Sequence, residues 1–279
     1  MATRFAPSPT GWLHLGHAYA ALFAWREARH RDGRFLIRLE DIDATRARPE
    51  YETALFEDLA WLGLTWETPV RRQSEHFADY QAALDQLAAR DLLYPCFCTR
   101  REIQDEIARA ASAPHGPDGA LYPGTCRRLD PAERDRRLAE GRPFALRLDL
   151  ERARVAAPGP LLWEDLDHGQ HQATPEIFGD VVLARKDTPA SYHLAVVVDD
   201  ALQGIDLVTR GLDLLPATHL HRLLIALLDL PVPRWRHHRL ITDAQGRRLA
   251  KRDNAHSLRH LRAEGWTAER VRGELGMEG

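Results

Sequence analysis

Apolar residues recur at the three- and four-residue spacing of an amphipathic helix in three segments of the first 95 residues. These segments are centred near Leu22, Leu55 and Leu84, and each predicts one helix. Between the first two, the mainly apolar run at 34–39 predicts a buried strand that ends in acidic residues. The alternation of strand and helix predicts an α/β unit over residues 1–95.

The same kind of pattern returns in the second half of the chain. Strand-like runs at 144–150, 181–185, 192–198 and 204–209 precede a strongly apolar helical pattern that begins at Leu220. These runs predict that a parallel sheet resumes there.

Between the two halves the sequence changes character. Residues 96 to 145 hold all the cysteines, a loop rich in Pro and Gly, and a basic stretch of helical composition. We therefore expect an insertion or connective subdomain over 96–180, a second half of the sheet over 181–252, and a short helical tail over 253–279.

Composition and charge exclude several classes of protein. The 279 residues include 38 basic and 41 acidic side chains, with a net charge of −3, so any contact with RNA must be local. No apolar run reaches the length of a membrane span, and the start of the chain lacks the pattern of a secretion signal. We expect a cytoplasmic monomer that does not enter a membrane.

Two histidines stand at the start of the first predicted helix. His14 and His17 are three residues apart and so face one side, where the helix N-terminus adds N–H groups and a partial positive charge suited to phosphate. Gly16 would let a phosphate approach the backbone closely. The alternative interpretation is that the two rings only form a polar cap.

Several longer segments strengthen the phosphate interpretation. Residues 4–11, followed directly by the H-x-G-H pattern at 14–17, resemble the opening of the glutamyl- and glutaminyl-tRNA synthetases, a class I family. Residues 38–43, 192–200 and 208–214 resemble later segments of that family in the same order. The resemblance implies a Rossmann-type parallel sheet and activation of an amino acid by ATP, with Mg²⁺ accompanying the nucleotide.

The basic segment 248–252 corresponds, by this resemblance, to the family's K-M-S-K-S loop. Lys251 stands at the second lysine, which stabilises the α-phosphate, and Arg248 replaces the first. Ala250 replaces the serine, which removes one hydroxyl donor. The resemblance thus assigns Arg248 and Lys251 to ATP, together with His14 and His17; the alternative is a solvated basic loop.

A glutamate substrate needs a cation for its side-chain carboxylate and acceptors for its ammonium group, and arginine suits a planar carboxylate. Arg4 and Arg210 are the candidate cations. The resemblance implies that Glu40 takes the α-amino group, although Glu40 could instead pair with Arg38 or Arg46. The expected amino-acid site comprises Arg4, Phe5, Ala6, Pro7, Ser8, Glu40, Tyr192 and Arg210.

The cysteines suggest a metal. Cys96, Cys98 and Cys126 offer three soft ligands within 31 residues, and a tetrahedral zinc needs a fourth. General chemistry favours His115, whereas the resemblance favours Tyr122. We expect a structural zinc ion with Tyr122 as the fourth ligand; the alternative is three ordinary buried cysteines.

Four further histidines have spacings that occur in metal sites. They lie at positions 219, 221, 237 and 238. Because isolated H-x-H and H-H pairs are common among exposed polar residues, we expect these side chains on the surface.

Only 27 residues follow Arg252, and we expect the chain to lack the large anticodon-binding region of full-length relatives. In this it resembles the truncated paralogues of the family, the glutamyl-queuosine tRNA(Asp) synthetases. That resemblance implies ATP, L-glutamate and queuosine-containing tRNA(Asp) as substrates, with glutamate transferred to the base at the anticodon wobble position. The alternatives are a non-catalytic remnant that binds tRNA or glutamate, and a minimal glutamyl-tRNA synthetase acting on a 3′ end.

Overall fold

The computed structural model describes residues 1–109, 115–242 and 257–278. Its helices are α1 (Leu15–Arg29), α2 (Pro49–Trp61), α3 (Phe77–Ala88), α4 (Arg100–Arg109), α5 (Pro131–Ala139), α6 (Leu150–Ala156), α7 (Tyr192–Leu202), α8 (Ala217–Leu227), α9 (Leu258–Ala263) and α10 (Ala268–Leu275). Its strands are β1 (Ala2–Phe5), β2 (Arg34–Leu39), β3 (Glu67–Arg72), β4 (Leu93–Cys96), β5 (His115–Gly116), β6 (Gly119–Ala120), β7 (Ala145–Leu148), β8 (Leu162–Asp165), β9 (Gly169–Gln172), β10 (Val182–Ala184), β11 (Leu207–Gly211) and β12 (Arg234–His238).

Parallel strands from both halves of the chain lie side by side. β1, β2 and β3 form one parallel set. β11, β12 and β8 form another, with β9 antiparallel at its edge. The two sets meet where the amide of Asp206, just before β11, donates to the carbonyl of Ala2 over 3.2 Å. The parallel α/β architecture expected from the sequence is thereby confirmed.

Each face of the sheet carries its own hydrophobic core, because successive side chains of a strand point to opposite faces. Along β2, Phe35 and Ile37 join the core that contains α1 and α2, whereas Leu36 joins the core that contains α3, α7 and α8. The C-terminal helices pack into the first of these cores through Leu258 and Val271, which are fully buried.

Two of the strands expected in the resumed parallel sheet lie elsewhere. β7 pairs antiparallel with both β4 and β10, so the runs at 144–150 and 181–185 form a separate three-stranded sheet. Periodicity identifies a strand but carries no information about the direction of its partner, and the prediction of parallel pairing was wrong for these two.

The run at 192–198 is not a strand but the start of α7. Ser191 caps this helix, because its hydroxyl accepts a hydrogen bond from the amide of Leu194 over 3.4 Å. All residues from 194 to 200 are buried. A helix that is apolar on every side loses its 3.6-residue pattern, and its β-branched valines then resemble a buried strand.

The segment between β4 and β7 contains α4, the β5–β6 hairpin and α5. Its buried residues form a small separate cluster around Cys96, Phe97 and Cys126. After β7 the chain returns to the large core, which includes Leu148 and Phe178.

No helix within the described ranges is both long enough and apolar enough to cross a bilayer. The longest, α1, has 15 residues, whereas a span needs about 20.

Candidate active site

A cleft of about 930 Å³, counted with its open mouth, lies at the carboxyl edge of the parallel strands. Ligands of open α/β sheets bind at this edge, because loops and helix starts converge there. The sequence-predicted residues that line the cleft are Arg4, Phe5, Ala6, His14, Gly16, His17, Glu40, Tyr192 and Arg210.

The remaining predicted residues lie outside the lining. Pro7 stands behind it, and its carbonyl accepts a hydrogen bond from the amide of Glu40 over 3.0 Å. The carbonyl of Ser8 accepts from the amide of Thr10 over 2.8 Å. Arg248 and Lys251 lie outside the described residues.

His14 and His17 cap the first turn of α1. The Nδ1 atom of His14 accepts from the amide of Gly16 over 3.0 Å, and the Nδ1 atom of His17 accepts from the amide of His14 over 3.2 Å. An imidazole that accepts through Nδ1 carries its remaining proton on Nε2 when neutral. The polar cap and the phosphate interpretation are therefore compatible, because capping orients both rings as Nε2 donors.

Gly16 has a steric role at this helix start. A Cβ atom added at this position would lie 2.9 Å from Cε1 of His14, which is closer than such atoms normally approach. A larger residue would therefore displace the capping ring.

The described residues just before position 243 and just after position 256 also lie beside the cleft. Ile241 lines it, and Ser257 forms an isolated antiparallel bridge with His14.

Arg4 is already neutralised by a carboxylate of the protein. Its Nε and Nη2 atoms donate to the two oxygens of Asp200 over 2.8 and 3.1 Å. Asp200 also accepts from Nη1 of Arg38 over 2.7 Å, so one buried carboxylate serves two arginines. Opposing the effect of burial, these two cations hold the pKa of Asp200 below its usual value.

Glu40 lies at the end of β2 beside the cleft. Its carboxylate contacts Nη2 of Arg38 over 3.3 Å, which is the first of the two ion pairs considered as an alternative role. Burial raises the pKa of Glu40, and the charges of Arg38 and Arg4 oppose that effect. Glu40 therefore pairs with Arg38 and lines the cleft at the same time, and the two interpretations of this residue are compatible.

Arg210 differs from Arg4 in its partners. Its Nε, Nη1 and Nη2 atoms bond to His237, His221 and Thr218 over 3.1, 3.0 and 2.6 Å. None of these groups is acidic, and no carboxylate among residues 1–109, 115–242 and 257–278 lies within 4.0 Å of the guanidinium. Burial lowers the pKa of Arg210, which is only 6% exposed.

Tyr192 stands at the first turn of α7, between Arg210 and Glu40. Burial raises the pKa of its hydroxyl, and the Arg210 charge acts in the opposite direction. Arg210 and Tyr192 thus present a cation and a hydroxyl to the same part of the cleft, where a carboxylate could bind both.

The three cysteines converge away from the cleft. Their sulfur atoms lie within 4.8 Å of one another, and those of Cys98 and Cys126 are 3.3 Å apart. Zinc–sulfur bonds of about 2.3 Å in a tetrahedron place sulfur atoms roughly 3.8 Å apart. The cluster could therefore hold a metal ion. Hydrogen bonding to Cys96 lowers the pKa of Cys126 to about 6, which favours the thiolate that metals require.

The hydroxyl of Tyr122 completes this group. It lies 3.5 Å from the sulfur atoms of both Cys96 and Cys98, and it accepts from the amide of Cys126 over 2.8 Å. The guanidinium of Arg147 lies 3.8 Å from the centre of the Tyr122 ring. For His115 the structure describes the backbone, in β5, and not the side chain.

The histidines expected on the surface contribute to the cleft region instead. His221, His237 and His238 are 3, 2 and 7% exposed, so the expectation was wrong for these three. His221 precedes the buried Leu224 by three residues and Ile225 by four, which places it on the apolar face of α8. This spacing was the available signal for its burial.

Comparison with known proteins gives consistent findings. Residues 1–276 match the family model described as tRNA synthetases class I (E and Q), catalytic domain. The chain is 49% identical to the glutamyl-Q tRNA(Asp) synthetase of Rhodobacter capsulatus, over 99% of this chain and 100% of that protein. It is 41% identical to the glutamate–tRNA ligase of Aquifex aeolicus, over 96% of this chain and 54% of the ligase.

A solved structure gives the same relationship. The glutamate–tRNA synthetase of Elizabethkingia anophelis superposes with a TM-score of 0.76 at 30% identity, over 91% of this chain and 53% of that one.

Proposed function

The chain belongs to the class I tRNA synthetases of the glutamate and glutamine (E and Q) type, and we propose that it activates L-glutamate with ATP and transfers the glutamyl group to the queuosine base of tRNA(Asp). This proposal rests on the surroundings of Arg210. Its guanidinium is buried without an acidic partner in the described chain, and it lies in one cleft with Glu40 and the capped start of α1.

Glutamate fits the charges around the cleft. Arg210 donates to the γ-carboxylate, and the Tyr192 hydroxyl supports it from the neighbouring helix. The Glu40 carboxylate accepts a hydrogen bond from the α-ammonium group. Arg38 holds that carboxylate, and the carbonyl of Pro7 holds the backbone amide of Glu40. Arg4 shapes the same pocket, and Asp200 compensates its charge. Phe5 and Ala6 complete the wall of the pocket in this proposal, and Pro7 and Ser8 support it from outside the lining.

ATP occupies the part of the cleft beside α1. The Nε2 atoms of His14 and His17 donate to phosphate oxygens, and Gly16 preserves the space that the His14 ring needs. Arg248 and Lys251 supply positive charge from the segment between Ile241 and Ser257. Bound Mg²⁺ would neutralise charge on the phosphates during displacement at the α-phosphorus of ATP.

Activation joins the two substrates. The α-carboxylate of glutamate attacks the α-phosphorus, the bond to the β-phosphate breaks, and pyrophosphate leaves with its electron pair. The fixed donors around the phosphates stabilise the charge that builds up during this displacement. The products are glutamyl adenylate and pyrophosphate.

The second step transfers the glutamyl group to tRNA. A hydroxyl of the cyclopentenediol of queuosine attacks the activated carbonyl, an ester bond forms, and AMP leaves. The chain spans the whole of its Rhodobacter capsulatus relative, whose name specifies tRNA(Asp) and the Q base, and this supports queuosine as the acceptor.

Zinc suits the cysteine cluster. We assign Cys96, Cys98, Cys126 and Tyr122 as its ligands, because three sulfurs and one phenol oxygen lie at the separations of a four-coordinate site. A set with no open position makes this ion structural, and none of the four residues lines the cleft.

Two assays test the proposal. Glutamate-dependent exchange of labelled pyrophosphate into ATP measures activation, and incorporation of labelled glutamate into tRNA(Asp) with and without queuosine measures transfer. Exchange without queuosine-dependent transfer, together with glutamylation of a tRNA 3′ end, would identify a minimal glutamyl-tRNA synthetase. Absence of both activities would identify a non-catalytic remnant. A cytoplasmic location and a monomeric state stay predictions.

A further inference from the structure

A line of hydrogen bonds runs from the cleft to the insertion. The Nη1 atom of Arg210 bonds to Nδ1 of His221 over 3.0 Å, and Nε2 of His221 bonds to Nδ1 of His193 over 3.0 Å. Nε2 of His193 then contacts the carboxylate of Asp118 over 3.3 Å. We call these four residues the histidine relay.

The protons of the relay have one consistent arrangement. A guanidinium can only donate, so Nδ1 of His221 accepts and its Nε2 carries the proton. That proton is donated to Nδ1 of His193, whose own Nε2–H is donated to Asp118. Burial and the nearby Arg210 charge lower the pKa of His221 well below its usual value, in keeping with a neutral ring. Every bond of the relay is therefore satisfied with both imidazoles neutral.

Three different elements supply the relay. His221 comes from α8 and His193 from α7, while Asp118 lies in the turn between β5 and β6, within the insertion. Solvent exposure increases along the relay. His221 is 3% exposed, and the side chains of His193 and Asp118 are 15% and 67% exposed. The relay thus links the floor of the cleft to the surface of the insertion.

The relay fixes one side of the Arg210 guanidinium. His237 and Thr218 hold its Nε and Nη2 atoms, and His221 is the partner of Nη1. Together the three bonds determine the plane of the guanidinium. Each terminal nitrogen has one further N–H that these three bonds do not use, and the Tyr192 hydroxyl lies beside them. A planar carboxylate is recognised best by such a fixed pair of donors.

We propose that His221 and His193 are positioning residues for Arg210, and that Asp118 anchors them from the insertion, so that the insertion helps to set the geometry of the amino-acid pocket. This inference rests on the proposed function, because the quantity that it controls is the affinity for glutamate.

The test compares variants at both ends of the relay. His221→Leu removes the acceptor of Nη1, whereas His221→Gln keeps one acceptor and one donor. Asp118→Ala removes the anchor at an exposed position, where the fold is not at risk. His219→Leu is the matched control, because His219 lies on the same helix and bonds to Thr174 instead.

Each variant is measured in three ways. Titration calorimetry gives the dissociation constant for glutamate, pyrophosphate exchange gives KM for glutamate and for ATP, and thermal unfolding gives the midpoint. We expect His221→Leu to weaken glutamate binding about tenfold, as suits the loss of a hydrogen bond to a charged group. Asp118→Ala should weaken it about threefold. His221→Gln and His219→Leu should stay close to the unmodified protein, and KM for ATP should not change in any variant.

A different pattern would overturn the inference. If His221→Leu lowers the thermal midpoint but leaves glutamate affinity unchanged, His221 is only structural. If Asp118→Ala has no effect on that affinity, the link to the insertion is wrong. An unmodified protein that binds glutamate but performs no exchange contradicts the proposed function alone, because the calorimetric comparison still reports on the relay. A protein that binds no glutamate overturns both.

Discussion

Asp200 holds the guanidinium of Arg4 through two hydrogen bonds, of 2.8 and 3.1 Å, in the interior of the protein. This ion pair distinguishes Arg4 from Arg210, which the sequence alone could not do. Arg4 faces the cleft with its charge compensated, whereas Arg210 faces it among histidines and a threonine. A ligand carboxylate therefore gains most from Arg210.

Replacing Arg210 with Lys should impair glutamate recognition selectively. The ammonium keeps the charge but not the pair of donors, and bonds to charged groups contribute about 1.5 to 3 kcal/mol. We expect KM for glutamate to rise by about 10- to 100-fold in the exchange assay while KM for ATP stays the same. Arg152→Lys, on an exposed side chain, is the control. An unchanged KM for glutamate in Arg210→Lys would remove this residue from the pocket.

Asp200→Asn should destabilise the fold. Arg38 keeps its ion pairs with Glu40 and Asp199, but Arg4 loses its ion-pairing carboxylate among the described residues. An unpaired buried charge costs about 3 to 5 kcal/mol. Urea unfolding should show a loss in the free energy of unfolding of at least about 3 kcal/mol. Asp187→Asn removes an exposed ion-pairing carboxylate and should change that free energy by less than about 0.5 kcal/mol. Equal effects of the two substitutions would contradict the shared-carboxylate account.

Stability should fall in mild acid, partly through His237. Burial and the charge of Arg210 lower the pKa of this ring to about 4, against an ordinary value of about 6.5. Between pH 6.5 and 4 the unfolded chain binds a proton that the folded protein does not, so the free energy of unfolding decreases as the pH falls. Above pH 6.5 the contribution of the neutral ring is complete.

The pH dependence of the free energy of unfolding that His237 causes is limited, because the ring binds one proton. His237 alone should contribute a slope of up to about 1.4 kcal/mol per pH unit. Urea unfolding at pH 7, 6 and 5 measures the slope, and His237→Gln should reduce it. The same slope in both proteins would show that His237 does not cause the loss.

Zinc retention should distinguish the two candidate fourth ligands. Tyr122→Phe removes the oxygen that lies 3.5 Å from two sulfurs, so zinc should be lost to a weaker chelator than in the unmodified protein. Cys98→Ser should lose zinc and destabilise the insertion. His115→Ala should retain zinc fully, as measured by metal content after dialysis. Loss from His115→Ala with retention in Tyr122→Phe would reverse the assignment.

Exchange activity should survive in these metal variants, although reduced in proportion to the folded fraction. The cluster lies apart from the cleft, and none of its residues lines it. Abolition of activity in a variant that remains folded would show that the metal acts in the reaction.

Lys251→Ala should remove most formation of the adenylate. A charge that acts on the phosphate during displacement contributes to the transition state and not to glutamate binding. Pyrophosphate exchange should therefore fall by about 100-fold or more, while calorimetry finds nearly the same affinity for glutamate. An unchanged exchange rate would end the assignment of Lys251 to ATP.

The sequence predicted well those features that depend on local spacing. α1, α2, α3 and α8 each carry an apolar stripe, and the structure contains all four. The H-x-G-H pattern indicated the helix start at Leu15, where His14 is the cap.

Features that depend on tertiary context were missed. α7 is buried on every side, so Val196, Val197 and Val198 favoured a strand, and only the capping residue Ser191 signalled a helix. The partners of Arg210 come from α8 and β12, whereas Arg210 itself lies on β11, so the periodicity of no single element could reveal that they converge. Pairing of Asp200 with Arg4, 196 residues away, was hidden for the same reason.

Transfer to the anticodon base is tested by incorporation of labelled glutamate into tRNA(Asp), in the presence of ATP, after removal of the 3′-terminal adenosine of the tRNA. Without that adenosine, a conventional synthetase lacks the terminal ribose that it acylates. We expect incorporation into the queuosine-containing tRNA and none into the same tRNA without queuosine. The Arg210→Lys variant should not incorporate glutamate at low glutamate concentration. Incorporation that requires an intact 3′ end, or that occurs equally without queuosine, would contradict transfer to the queuosine base.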